Sequence, residues 1–232
     1  MNDFEKFAKN LFSELKHELP GFSAQKLMAP LGRKPPSYYL NEKIVPKKSA
    51  VLILIYPSSP KESLRTRRGE KGKGVVWAEV AKTVLIERTD NEGIHAGQIS
   101  FPGGQADETD ENLSATALRE AEEEIGVNRK SISIIGVLTP LYIPVSNYMV
   151  HPFIGIANAT PVFTSHTAEV KNIIEIEINE FISDKNKSSI RRHIKIINTE
   201  MEVPCYNIRG KIIWGATAML ISELSEIIRR IK

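Results

Sequence analysis

The chain has 232 residues, of which 41% are hydrophobic and 25% are charged, so its composition excludes a disordered or a fibrous protein. It carries 31 basic and 28 acidic residues, and the net charge of +3 is too small to predict nucleic-acid binding by itself. Its single cysteine, Cys205, cannot form an internal disulfide, and no apolar run approaches the ~20 residues of a membrane helix. We therefore expect a cytoplasmic protein with neither a nucleic acid nor a membrane as its partner.

The first half of the chain is predicted to contain one helix followed by short strands. Apolar residues recur at helical spacing near the N-terminus, at Phe4, Phe7, Ala8, Leu11, Phe12 and Leu15. Pro20 and Gly21 end this segment. A connection rich in proline leads to a buried strand at residues 51–56, and a polar, basic stretch at residues 57–74 follows it. Further strands are predicted at residues 75–80, 83–88 and 98–101.

The second half is predicted to contain two amphipathic helices among further strands. The helices are expected at residues 112–125, where Gly126 ends the helix, and at residues 216–231. The strands are expected at residues 131–138, 152–157, 173–178, 201–208 and 211–214, with Arg209 and Gly210 as a tight turn. Because strands outnumber helices and do not alternate regularly with them, the fold class is α+β with a mixed sheet. We interpret residues 1–232 as one domain, whose first 45 residues or so form a helical extension.

One face of the helix at residues 112–125 is unusually rich in carboxylates. At 100° per residue, Glu120, Glu123 and Glu124 fall within one arc of about 100°, whereas Glu122 points nearly opposite. The like charges of Glu120 and Glu124 repel each other at this spacing, and the helix dipole disfavours anions in the last turn. A divalent cation would reverse both effects, and clustered oxygen ligands suit Mg²⁺ or Mn²⁺. The alternative is a solvated glutamate-rich face.

The context of this helix favours the metal-binding interpretation. Pro102, Gly103 and Gly104 lie upstream and allow the backbone to bend sharply beside the helix. Residues 104–127 resemble the Nudix box, G-x5-E-x7-R-E-U-x-E-E-x-G-U, and from Glu111 onward every spacing and identity agrees. Six residues instead of five separate Gly104 from Glu111, so Asp107 or Asp110 are alternatives for part of the role of Glu111.

The resemblance implies a fold, a metal and a set of roles. The fold is the Nudix fold, a mixed β-sheet sandwiched between α-helices, and the reaction is the hydrolysis of a diphosphate with Mg²⁺ or Mn²⁺. Glu120 and Glu124 are the principal metal ligands that it implies, with Glu123 and the carbonyl of Gly103 completing the set. Arg119 would orient a box carboxylate through a charge-assisted hydrogen bond. Glu120, Glu123 and Arg119 are therefore the implied catalytic residues, and which carboxylate deprotonates the water is left open.

The segment upstream of the box resembles the signature of the coenzyme A pyrophosphatases, L-L-T-x-R-S/A-x3-R-x3-G-x3-F-P-G-G. The residues that match in register are Leu85, Arg88, Gly97, Phe101, Pro102, Gly103 and Gly104. The departures include Ile86 in place of threonine, Thr89 in place of serine or alanine, and Gly93 in place of arginine. The resemblance implies hydrolysis of coenzyme A or an acyl-CoA to 4′-phosphopantetheine, or its acyl form, and adenosine 3′,5′-bisphosphate.

Several polar residues are candidates for contact with a nucleotide substrate. They are Arg88, His95, Gln98, Arg67 and Arg68. Arg67 and Arg68 could supply the cation that Gly93 removes, and a solvated basic loop is the alternative for them. A structural histidine is the alternative for His95. Glu169 could supply a distal acid, with a surface glutamate as the alternative.

Two rival functions are consistent with the box. The first is a Nudix enzyme for ADP-ribose or another nucleoside diphosphate derivative, since Pro144 falls roughly where the ADP-ribose subgroup carries a proline. The second is a non-catalytic module of the same fold that senses a nucleotide. The intact Arg119, Glu120, Glu123 and Glu124 favour catalysis over sensing. Either enzyme would have a small nucleotide as its partner, and a homodimer is compatible with the sequence.

Overall fold

The computed structural model of the chain describes residues 1–40, 44–58, 81–89, 97–165, 168–194 and 199–231. The helices are α1 Asp3–Glu14, α2 Phe22–Gln25, α3 Pro36–Tyr39, α4 Leu113–Ile125, α5 Ile178–Ile182 and α6 Gly215–Arg230. The strands are β1 Lys47–Pro57, β2 Ala81–Arg88, β3 Ile99–Ser100, β4 Gly103–Gln105, β5 Ile132–Val137, β6 Leu141–Ile143, β7 Tyr148–Ala157, β8 Val170–Glu177, β9 Lys187–Ile194, β10 Thr199–Ile208 and β11 Lys211–Trp214. Short 3₁₀ turns lie at Lys26–Met28, Arg129–Ser131 and Asp184–Asn186.

Eight of the described strands form one sheet, and β9, β10 and β11 form a separate antiparallel sheet. The larger sheet has the order β3-β2-β1-β7-β5, with β4 on β1, β6 on β7 and β8 on β2. Strands β1 and β7 are parallel, and the other pairs are antiparallel. The sheet is therefore mixed, as the sequence predicted.

Alternating residues of β1 point into two separate cores, one on each face of the sheet. Leu52 and Leu54 pack with Ala117, Ala121 and Ile125 of α4, which covers one face. On the other face, the odd-numbered isoleucines of β1 join apolar residues of α1 and α6. The sheet thus lies between helices, and the predicted fold class, α+β with a mixed sheet sandwiched between helices, is confirmed. The single-domain interpretation of residues 1–232 stays a prediction.

Capping residues explain where α4 begins and ends. The side chain of Asn112 accepts hydrogen bonds from the backbone N–H groups of Ser114 and Ala115, at 3.0 Å each. Gly126 ends the helix in the left-handed conformation, with φ at 70°. The predicted helix at residues 112–125 is confirmed, with Asn112 as its cap.

The structure corrects several predicted elements. The strand predicted at residues 75–80 lies outside the described residues. The strand predicted at residues 98–101 is shorter, and the one predicted at residues 173–178 ends one residue earlier, because Ile178 begins α5. Strand β9 was not predicted, since its sequence is polar and basic, yet it pairs with β10 along eight residues. The turn at Arg209 and Gly210 is confirmed, and both residues have positive φ.

A buried carboxylate joins the two ends of the chain. The side chain of Glu223 on α6 is fully buried and accepts hydrogen bonds from Gln25 Nε2 at 2.8 Å and from Thr139 Oγ1 at 2.6 Å. The backbone N–H groups of Gly21 and Thr139 also donate to it, each at 3.2 Å. The segment before β1 is therefore fixed to the C-terminal helix. Of the helices in the described ranges, none combines the length and apolar character needed to cross a membrane.

Candidate active site

The backbone of β4 forms the floor beneath the carboxylate face of α4. Gly103 has φ at +153°, and a Cβ atom there would stand 2.3 Å from the carbonyl oxygen of Ala50. A Cβ atom on Gly104 would stand 2.4 Å from the carboxyl carbon of Glu120. Gly103 is therefore required by the close approach of β4 to β1, whereas Gly104 leaves room for the Glu120 side chain of α4.

Glu124 is the most deeply buried carboxylate of the cluster. Its side chain is 5% exposed, and its Oε2 atom accepts a hydrogen bond of 2.8 Å from the backbone N–H of Gly103. Arg88 Nη1 lies 3.4 Å from its Oε1 atom. Burial raises the pKa of Glu124 to about 7, although the contacts with Gly103 and Arg88 oppose this shift. The contacts with Gly103 and Arg88 therefore do not fully compensate the negative charge of the buried Glu124 carboxylate.

Arg119 forms salt bridges with three further carboxylates, those of Asp110, Glu120 and Glu123. Its Nε and Nη2 atoms each lie 2.9 Å from an oxygen of Asp110, and its Nη1 atom lies 2.8 Å from Glu120 and 3.2 Å from Glu123. Its Nη2 atom also donates to the carbonyl of Gln105 at 3.3 Å. The guanidinium holds the pKa of Asp110 well below its usual range, whereas burial raises the pKa of Glu120. Arg119 thus makes the charge-assisted contacts with box carboxylates that the resemblance implied.

The helical face is arranged as the spacing predicted. Glu120, Glu123 and Glu124 lie on the side of β4 and Arg119, whereas Glu122 points away. Glu122 instead contacts Arg129, with 3.3 Å between Oε2 and Nε, at the surface.

Asp110, rather than Glu111, occupies the position of the first acid of the box. Five residues separate Gly104 from Asp110, and Asp110 receives a bidentate contact from Arg119. The extra residue therefore lies between Asp110 and the helix, and Glu111 is exposed. Asp107 caps the preceding turn instead, since its Oδ1 accepts from the backbone N–H of Thr109 at 2.8 Å.

Replacement of Asp110 by asparagine removes the bidentate salt bridge with Arg119. We therefore expect the free energy of unfolding to fall by about 1–3 kcal/mol and the catalytic efficiency to fall as well. Glu111→Gln is the matched control and should change stability by less than about 0.5 kcal/mol. Urea unfolding and steady-state kinetics measure both. Equal losses in the two variants would contradict the assignment of Asp110.

Among the residues predicted to contact the substrate, the structure describes Arg88 and Gln98. Arg88 bridges two carboxylates, since its Nη2 atom lies 2.7 Å from Glu169 Oε2 in addition to its contact with Glu124. Gln98 is half-buried beside it, and its carbonyl accepts a hydrogen bond of 3.0 Å from the backbone N–H of Arg88. His95, Arg67 and Arg68 lie outside the described residues. Glu169 lies at the surface, with 67% of its side chain exposed, and it contacts Arg88, 81 positions away, which nothing local in the sequence indicates.

The sequence of this chain is similar to those of known proteins. Residues 47–194 match the NUDIX domain family. The chain belongs to the Nudix family. The uncharacterized Nudix hydrolase NudL from Yersinia pestis (strain Pestoides F) is 37% identical to it over 143 residues, which are 62% of this chain and 70% of the relative. NudL from Yersinia pseudotuberculosis (serotype O:1b, strain IP 31758) gives the same values.

Solved structures with a similar backbone carry Nudix names as well. A MutT/nudix family protein from Enterococcus faecalis aligns with 96% of this chain and 74% of its own, with 13% identity and a TM-score of 0.46. The Nudix hydrolase RenU from M. Smegmatis aligns over 80% and 88%, with 14% identity and a TM-score of 0.45.

Family membership makes the chain a Nudix pyrophosphohydrolase, which acts on nucleoside diphosphate derivatives, and the prediction of an enzyme is confirmed. Nudix hydrolases generally use divalent metal ions. The oxygen-only donors of Glu120, Glu123 and Glu124 fit such an ion, and the incompletely compensated charge of Glu124 favours one. In the part of the chain that the structure describes, no three acidic, histidine or cysteine side chains yet converge on one point as metal ligands. The arginines Arg88 and Arg119 contact the same carboxylates, so these contacts would have to rearrange around a metal ion.

Proposed function

We propose that this Nudix hydrolase cleaves the diphosphate bond of coenzyme A or an acyl-CoA. The products would be 4′-phosphopantetheine, or its acyl form, and adenosine 3′,5′-bisphosphate. The observation that carries the proposal is the signature between Leu85 and Gly104, which matches in register immediately before the box. The single cysteine suggests a cytoplasmic enzyme, and a monomer or a homodimer would carry one such site per chain.

The places of the described signature residues support the proposal. Arg88 ends β2 and reaches Glu124, so it lies beside the carboxylate cluster. Phe101 is buried at 2% exposure in the core on the other face of the sheet, two residues before β4 begins. Gly103 and Gly104 then meet β1 and Glu120. Arg88, Gly103 and Gly104 of the signature thus lie beside the carboxylates of the box, which supports the proposal.

The roles within this site follow from the contacts. Glu120 and Glu124, with Glu123 and the carbonyl of Gly103, would hold Mg²⁺ or Mn²⁺, which neutralises a diphosphate and lowers the pKa of a bound water. Arg119 contacts Glu120 and Glu123 at 2.8 and 3.2 Å, and it would orient a box carboxylate after these contacts have rearranged around the ion. Either of these two carboxylates can accept the proton of the attacking water, and both remain proposed for that role. Arg88, at the end of β2, and Gln98, just before β3, would contact the substrate.

Coenzyme A differs from ADP-ribose in its 3′-phosphate, which requires a cation of its own. Gly93 removes the arginine that the signature has at that position, and Arg67 and Arg68 are the proposed substitutes on sequence grounds. A cation that contacts only the 3′-phosphate contributes uniform binding energy and acts on KM.

The test is a substrate panel of coenzyme A, 3′-dephospho-coenzyme A, ADP-ribose and NADH with Mg²⁺ or Mn²⁺, with the products identified by mass spectrometry. We expect the highest kcat/KM with coenzyme A or an acyl-CoA. The double variant Arg67→Gln/Arg68→Gln should raise KM for coenzyme A about tenfold and leave 3′-dephospho-coenzyme A nearly unchanged. Preferential cleavage of ADP-ribose would overturn the proposed substrate but not the Nudix activity. Equal effects on both forms of coenzyme A would remove Arg67 and Arg68 from the site.

A further inference from the structure

Arg88 is shared between two carboxylates that come from distant parts of the chain. Its Nη2 atom lies 2.7 Å from Glu169, and its Nη1 atom lies 3.4 Å from Glu124. The Arg88 side chain is 29% exposed, Glu169 is 67% exposed and Glu124 is 5% exposed. The shorter contact is thus made with a solvated carboxylate and the longer one with a buried carboxylate.

The backbone keeps Arg88 and Glu169 together. The N–H of Thr89 donates to the carbonyl of Glu169 at 2.9 Å, and the bulge of the β2–β8 pairing falls at Glu87 and Arg88. Arg88 therefore has Glu169 as a neighbour whatever its side chain does. Glu124, by contrast, belongs to α4 and has its own firm donor in the N–H of Gly103.

Arg88 and a divalent cation require the same oxygen atoms. A buried carboxylate is costly unless a positive charge or hydrogen bonds compensate it, and Glu124 takes part of that compensation from Arg88. A dication bound to Glu124 would repel the guanidinium, since both charges would lie within a few ångströms of one carboxylate. Close contact of both cations with Glu124 Oε1 is therefore unfavourable.

We propose that Arg88 is an exchangeable counter-ion of the catalytic helix. It compensates Glu124 when no divalent cation is bound, and it withdraws to Glu169 when one binds. This inference rests on the proposed metal role of Glu124. It assigns Glu169 the role of a positioning residue, which retains Arg88 at the edge of the site. There the freed Nη1 atom can donate to a phosphate oxygen of the substrate, so metal loading would prepare the substrate contact.

The test measures Mn²⁺ binding by calorimetry, together with the thermal midpoint in the presence of a chelator. Arg88→Gln should bind Mn²⁺ about three- to tenfold more tightly than the wild type, because a repelling charge is removed. It should also melt at a lower temperature in chelator and recover when Mn²⁺ is added. Arg88→Lys keeps the charge and should bind Mn²⁺ within about twofold of the wild type. Arg129→Gln, on the opposite side of α4, is the matched control and should change neither quantity.

A second measurement decides the question if Arg88→Gln does not fold. In the wild type, the Nε–Hε signal of Arg88 in a ¹H–¹⁵N NMR spectrum should shift when Mg²⁺ is added, while that of Arg129 should not. An Arg88→Gln variant that binds Mn²⁺ as the wild type does, or more weakly, would overturn the exchange, as would an Arg88 signal indifferent to Mg²⁺. A wild-type protein that binds no Mn²⁺ would overturn the metal role of Glu124 itself, which distinguishes the two failures.

Discussion

Glu120→Gln and Glu124→Gln are each expected to lower kcat by on the order of a hundredfold or more, while the fold is retained. Each change removes a charge from the proposed ligand set but keeps the size of the side chain and its helix propensity. Glu122→Gln is the matched control on the same helix. Glu122 contacts only the surface residue Arg129 among the described residues, so its replacement should change kcat by less than about twofold. Steady-state kinetics with saturating Mn²⁺ measures all three variants.

Thermal unfolding of the same variants shows whether the replaced residue binds the metal or affects kcat in another way. Millimolar Mn²⁺ should raise the thermal midpoint of the wild type and of Glu122→Gln by mass action. The rise should be blunted in Glu124→Gln, which should also be slightly more stable than the wild type in chelator, because a buried charge has been removed. Comparable losses of kcat at Glu122 and Glu124, or an equal response of both variants to Mn²⁺, would refute the carboxylate-face argument.

The parts of the site that could be predicted from the sequence are those that local geometry determines. Helix α4 has a polar cap at Asn112, a glycine at its end and an apolar stripe at every fourth residue, so its period also assigns Glu120 and Glu124 to one face. These features depend on residues that are close together in the sequence. The sharp bend expected at Gly103 and Gly104 is instead strand β4, and the close approach of Gly103 to Ala50 joins distant parts of the chain.

The parts that could not be predicted depend on register and on long-range contacts. The spacing back from the helix assigns the first acid of the box to Glu111. In the structure, the turn between Asp107 and Asp110 directs the carboxylate of Asp110, one residue earlier, towards Arg119. Glu169 approaches Arg88 only because β8 pairs with β2. Strand β9 is polar on both faces at its start and is stabilised by pairing with β10 rather than by an apolar pattern.

The two adjacent glycines of β4 are expected to fail in different ways when each is replaced by alanine. In Gly104→Ala the new Cβ atom would meet the far end of the Glu120 side chain at 2.4–2.6 Å, and a flexible side chain can move. We expect a folded protein whose kcat falls about a hundredfold, because Glu120 is displaced from the ligand set. In Gly103→Ala the Cβ atom would meet the backbone of Ala50 and Val51 at 2.3 and 2.6 Å, and φ at +153° is unfavourable for alanine. We expect this variant to lose about 2–4 kcal/mol of unfolding free energy.

Gly210→Ala controls for the loss of glycine's conformational freedom alone. Gly210 also has a positive φ, at +79°, but a Cβ atom there would meet nothing within 4 Å. Its replacement should cost about 1 kcal/mol of stability and leave kcat unchanged. Urea unfolding and kinetics on the three variants then separate backbone strain, steric contact with β1 and displacement of a carboxylate. If Gly104→Ala kept full activity, the function of Glu120 would not depend on its present place above β4. If Gly103→Ala were as stable as Gly210→Ala, the close approach of β4 to β1 would not be a determinant of the site.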